Sequence, residues 1–167
     1  METEIKNAME IRITNINDTE QIASIVSQAN KDVAKQFDIN FENNPKHPSF
    51  YTNEWVFSDF NRGEEYFISH VNNTNTGCVA FEQPNPDTAY LNRLSVLPEY
   101  RRQGMGTMLV NYILEYSRSK NIQFVSIGII AAHDILKNWY SNRGFIEGET
   151  QKFDHLPFDV MYMRYDL

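Results

Sequence analysis

The segment Leu91–Val110, LNRLSVLPEYRRQGMGTMLV, sets the reading of everything around it. An apolar strand over Tyr90–Val96 stops at Pro98, which has no amide to give to a ladder. Arg101 and Arg102 follow. Gly104-x-Gly106 then opens a helix whose apolar side carries Met105, Leu109, Tyr112, Ile113 and Tyr116. A helix N-terminus presents unpaired amides and roughly half a positive charge. Without Cβ atoms, Gly104 and Gly106 let an anion approach that backbone closely. Two guanidiniums add bidentate donors, so a pyrophosphate suits the cradle better than a carboxylate. No G-x-x-x-x-G-K-[ST] loop occurs anywhere in the chain. The dinucleotide fingerprint fails as well, because Leu109 stands where its third glycine belongs.

Outward from this segment the periodicity alternates between strand and helix. Met9, Ile11 and Ile13 alternate with polar residues as one face of a strand, preceded by a polar stretch over 1–8 read as a disordered lead-in. Asp18 or Thr19 caps a helix with apolar positions from Ile22 to Phe37. Breakers at Asn43-Asn44-Pro45 and His47-Pro48 precede a short aromatic helix capped by Ser49 and carrying Tyr51, Trp55, Val56 and Phe60. Strands over Tyr66–Val71, Gly77–Glu82 and Tyr90–Val96 read as an antiparallel meander. Beyond the central helix, Phe124–Ile130 is a strand covered on both faces. A helix over Asp134–Asn142 closes at Gly144, and strands starting at Phe145 and Phe158 complete the order βα(α)βββαβαββ.

The 167 residues suffice for one domain, expected over 9–167. With 15 Lys and Arg against 22 Asp and Glu, the net charge of −7 disfavours nucleic-acid binding. The lone Cys78 reads as structural, and four scattered histidines lack zinc-ligand spacing, so no metal is expected. No apolar run approaches the roughly 20 residues that span a bilayer, and the polar stretch METEIKNAMEIRI has no apolar core of the kind a signal peptide needs. Neither a membrane nor a nucleic acid is therefore expected as partner, and the expected location is cytoplasmic.

Arg101-Arg102-Gln103-Gly104-Met105-Gly106 resembles the acyl-CoA motif of the GNAT acetyltransferase superfamily, R/Q-x-x-G-x-G/A. It lies, as in that family, between a Val-x-Pro strand end and a helix. The segment Asn138–Phe145, NWYSNRGF, is similar to the family's Tyr-x-x-x-Gly-Phe element. The resemblance implies a single α/β (α+β) domain with a mixed, mostly antiparallel sheet of about six to seven strands, flanked by helices and splayed at the acyl-CoA cleft. It further implies acetyl-CoA as co-substrate. Backbone groups of Leu94, Ser95 and Val96 would bind pantetheine, and the amide near Val96 would polarise the thioester carbonyl. Amides of Arg102, Gln103, Gly104, Met105, Gly106 and Thr107, with the side chains of Arg101 and Arg102, would hold the pyrophosphate. Asn138 would add a cofactor contact, and Tyr140 would be the general acid.

Two departures accompany the match. His133 stands seven residues before Tyr140, where the family often has Asn. Asn92 and Arg93 stand where many relatives carry a basic Glu, which leaves His70, His155 or a water relay as base candidates. Glu82 is set aside, because a hairpin turning near 85–86 puts it at the far end from Val96. The aromatic group Phe50, Tyr51, Trp55, Phe57 and Phe60 reads either as acceptor pocket or as core packing. The expected function is acetyl transfer from acetyl-CoA to a primary amine by direct attack in a ternary complex. Its rivals are an acyl-CoA-binding module without catalysis and a nucleotide-binding domain. The acceptor would be a small-molecule or peptide amine, with the acidic charge favouring a cationic one, and relatives commonly form homodimers.

Overall fold

A computed structural model describes residues 9–167, so the lead-in expected over 1–8 lies outside the described residues. The first strand, β1 (Met9–Ile13), pairs antiparallel with β2 (Glu65–Val71). Its alternation is only half realised, because Ile13 is 63% exposed while Met9 is buried. The long helix expected to run to Phe37 is two helices, α1 (Thr19–Ala29) and α2 (Lys31–Gln36). Asn30 breaks it at φ −105° and ψ 3°. Its side-chain Nδ2 donates to Val26 O at 2.8 Å and to Ser95 Oγ at 3.3 Å, competing with the helical ladder. In the aromatic helix α3 (Asn53–Asn61) the cap is Thr52, whose hydroxyl accepts from Trp55 N, rather than Ser49.

Strands β2, β3 (Thr74–Asn85) and β4 (Thr88–Val96) form the expected meander. Asn72 and Asn73, at φ 49° and 65°, supply the two left-handed residues of a tight hairpin turn. Helix α4 (Met105–Ser119) crosses to β5 (Phe124–Ile130), followed by α5 (Asp134–Ser141), β6 (Ile146–Gln151) and β7 (Val160–Asp166). The sheet has seven strands in the order β1-β2-β3-β4-β5-β7-β6, antiparallel except for β4 with β5. Helices cover both faces. Ile22, Val26 and Val56 pack with Tyr66, Ile68, Cys78 and Ala80 on one side. Leu109, Val110 and Ile113 of α4 pack with Phe67, Val79, Phe81 and Leu91 on the other.

Two departures from a regular ladder position the site. Between Ala80↔Asn92 and Cys78↔Ser95 the register advances two residues on β3 and three on β4, a bulge in which Arg93 sits at φ 49°. Beyond it Gly77 faces Val96, and a Cβ there would lie 2.5 Å from Ser95 O, so only glycine lets the strands meet. The parallel pairing of β4 with β5 covers only Thr88↔Phe124, Ala89↔Val125 and Tyr90↔Ser126. From Leu91 onward β4 leaves β5, which stays paired with β7 to Ile130. The sheet is splayed from that point.

Candidate functional site

At the head of α4, Arg102 and Gly104 take positive φ values of 62° and 84° and curl the backbone. The amides of residues 102–107 donate to no intramolecular acceptor among the described residues. Six N–H groups are therefore gathered at the positive end of a 15-residue helix, the arrangement that binds phosphate. Gly106 is fixed by packing, since its Cβ would lie 3.2 Å from the Trp139 ring. Arg143 locks this corner. It donates to Thr107 Oγ1 at 3.0 and 2.7 Å and to Trp139 O at 2.7 Å, with its guanidinium 3.6 Å from the Trp139 ring centre.

The two arginines expected to hold pyrophosphate have different surroundings. Arg101 donates to Val96 O at 3.1 Å, to Ala29 O at 2.6 Å and to Asp32 at 2.5 Å, tying the end of β4 to the α1–α2 junction. Burial opposes ionisation of Asp32, but Arg101 outweighs it and holds the carboxyl below its usual range. Arg102 is exposed and makes no side-chain hydrogen bond or ion pair among the described residues. Gln103 Oε1 is buried without a partner, and Met105 is part of the core.

Between the parted strands lies a cavity of about 350 Å³, walled by β4 residues 91–94 and β5 residues 127–130. Leu94 lines it, whereas Ser95 is buried behind β4, donating to Arg93 O and accepting from Asn30. Leu97 N donates to Thr76 O, so strand alternation turns the N–H and C=O of Val96 away from β3, toward the splayed side. Tyr140 lines the cavity floor. Its hydroxyl has no partner among the described residues, and burial pushes the phenol up against the opposing pull of Arg143, which keeps it protonated. Asn138 is exposed on α5, and its side chain has no polar partner among the described residues, while its carbonyl accepts from Asn142 N.

Two further cavity residues are histidines. His47, read in the sequence only as a loop breaker, is buried, and desolvation lowers it to about 4. Its Nδ1 accepts from Ser49 N at 3.2 Å, and His133 Nδ1 accepts from Leu136 N at 3.4 Å. With Nδ1 taken up by these contacts, each neutral ring carries its proton on Nε2. Neither expected base candidate lies in the cavity. His70 pairs weakly with Glu10 at 3.8 Å near the outer end of β2, and Cys78 lies opposite Ser95. His155 is exposed against Phe153. Burial pushes the Cys78 thiol up to about 12, in keeping with a structural role.

The bulge also delivers Arg93 into a buried charge network that sequence alone did not disclose. Arg93 Nε donates to Tyr66 Oη at 2.7 Å, and Nη2 pairs with Glu64 and with Asp59 at 3.5 Å. Tyr51 and Tyr66 both donate to Asp59, at 2.5 and 2.6 Å. Arg62 bridges Asp59 and Glu64 at 2.9 and 2.8 Å, while Asn92 donates to Glu64 and to Glu82. Burial raises Glu64, against the pull of Arg93 and Asn92.

Residues 30–145 match the model of the acetyltransferase (GNAT) family, which spans both the α4 cradle and the α5 tyrosine. The chain belongs to that family. An uncharacterised N-acetyltransferase of Methanocaldococcus jannaschii is 26% identical over 106 residues, 59% of this chain and 47% of that protein. The chain thus spans about half the length of this curated relative. The ribosomal-protein-S18-alanine N-acetyltransferase of Escherichia coli superposes with a TM-score of 0.75 at 17% identity, over 95% of this chain and 93% of that one. A GNAT family acetyltransferase of Elizabethkingia anophelis, crystallised with acetyl-CoA bound, gives 0.65 at 14% identity, over 96% and 99%. At these identities the likeness is one of fold.

Proposed function

We propose that the chain transfers an acetyl group from acetyl-CoA to a primary amine within a ternary complex. The observation that carries this reading is the line from six unengaged amides at the head of α4, along the splayed β4, to the unpartnered hydroxyl of Tyr140. Acetyl-CoA brings an activated acyl thioester and a pyrophosphate, and the cradle and the narrow apolar cavity suit both ends. The amine nitrogen forms the new amide bond as the thioester C–S bond breaks. Tyr140, protonated and aimed into the cavity, supplies the proton that the departing sulfur needs. The Val96 N–H, turned to the cleft side, is the donor for the carbonyl oxygen. Among the described residues the cavity wall holds no carboxylate, which favours a water relay for the proton lost from the amine.

A thermal-shift titration with acetyl-CoA, CoA, ATP and NAD tests the cofactor. A native-state ligand at about 100 times its dissociation constant adds roughly 2.7 kcal/mol, and only the first two should do so. Release of free thiol with an amine tests the chemistry. Tyr140→Phe should cut turnover about 100-fold while leaving acetyl-CoA affinity unchanged. An undiminished rate removes Tyr140 from the acid role, and the absence of thiol release with every amine points to a binding module.

A further inference from the structure

A second cavity, of about 430 Å³, adjoins the first, and Arg93 and Pro48 line both. Its walls carry three cations, Lys46, Arg62 and Arg93, against a single carboxylate, Asp59. That carboxylate is engaged, because its oxygens already accept from Tyr51, Tyr66 and Arg62. Unengaged donors remain on the cations. Arg62 uses only Nη2, Arg93 uses Nε and Nη2, and Lys46 has no ion pair, all among the described residues. Tyr51 and Trp55, packed edge to face at 5.4 Å, form an aromatic side wall. Counting Glu64, which pairs with both arginines from behind this wall, three cations still face two carboxylates, a balance opposite in sign to the net −7 of the chain. An ammonium arriving here finds cations and an occupied carboxylate, whereas an oxyanion finds unengaged N–H groups beside the acetyl site.

We propose that this second cavity receives an anionic group of the acceptor, so that the acceptor is an amine bearing a carboxylate or phosphate. The inference rests on the acetyl-transfer reading above. It replaces the cationic acceptor favoured by overall charge with one of opposite character. Arg93, shared by the two cavities, would set the anion next to the reacting nitrogen.

The test is equilibrium binding to the CoA-loaded protein by calorimetry, which does not depend on turnover, followed by kcat/KM on the same panel. L-phenylalanine should bind at least tenfold more tightly than phenylalaninamide or phenethylamine, and O-phosphoethanolamine more tightly than ethanolamine. Whichever acid arm responds identifies the source of the oxyanion. Lys46→Met, at an exposed site where folding is not at stake, should weaken the acids about fivefold and leave the neutral analogues unchanged. Arg62→Gln should do so more strongly, with its fold checked by acetyl-CoA stabilisation. Equal affinity for acids and neutral analogues, or preference for spermidine, overturns the proposal. Carboxylate-dependent binding without thiol release would keep this subsite and sink the enzyme reading instead.

Discussion

Arg101 and Arg102 are neighbours of the same type, yet the fold gives them opposite work. Arg101 keeps an extended backbone and turns its guanidinium to the carbonyls of Val96 and Ala29. Arg102 takes a positive φ and leaves its side chain in solvent beside the six amides. Arg101→Ala should therefore cost about 2 kcal/mol of stability, measurable as a lower urea midpoint, because buried acceptors lose a charged donor. Arg102→Ala should leave that midpoint in place and weaken CoA binding, with the difference shrinking in high salt. The motif made both residues visible, but side-chain partners 69 to 72 positions away in the chain leave no trace in local spacing. His47 was unreadable for the same reason, since its significance is burial. Its folded-state value of about 4 lies below the ordinary 6.5, so the unfolded chain binds one more proton between these limits. Stability from this group is complete above pH 6.5 and is lost as pH falls toward 4. His47→Gln should flatten that part of the acid limb in pH-dependent urea unfolding.

Among the elements, hydrophobic periodicity located most strands and helices, which bury one face or both; β6, exposed along its whole length, and α2, read as the end of one long helix, are the exceptions. Breaks within elements were less legible. The apolar rhythm from Ile22 to Phe37 runs on through Asn30, and the stop is explained by the Asn30 side chain, which donates to Val26 O and to the tertiary partner Ser95. The bulge at Arg93 is similarly silent, because one inserted residue in a strand keeps its composition while turning the following side chains over. A consequence is that Gly77 and Arg93 belong to one device, with glycine giving the room that the displaced strand needs. Gly77→Ala should destabilise the fold by about 1–3 kcal/mol, because the methyl group meets backbone rather than a side chain that can move. A denaturation curve superimposable on the wild type would show that the strands can shift apart there at no cost.

At the scale of the whole molecule, the resemblance in two short segments carried the architecture of a seven-stranded, splayed sheet. The cradle at the head of α4 was legible because it is written in backbone chemistry, glycine and helix start. The second cavity, proposed above for the acceptor's anionic group, was not, because its walls come from α3, the turn before it and the bulge of β4, which meet only in the fold. An ordinary open sheet has two rims of unpaired backbone, at its outermost strands. This one has four, since β4 beyond Tyr90 and β5 beyond Ser126 each present one to the interior gap. Rims of this kind invite foreign strands when they face solvent. Here they face each other, with His47, Pro48 and Phe158 around the slot. The hazard that most sheets must hide at their margins is folded inward, and the stickiness of bare backbone becomes a groove that, on the reading proposed above, pairs with the amides of the co-substrate.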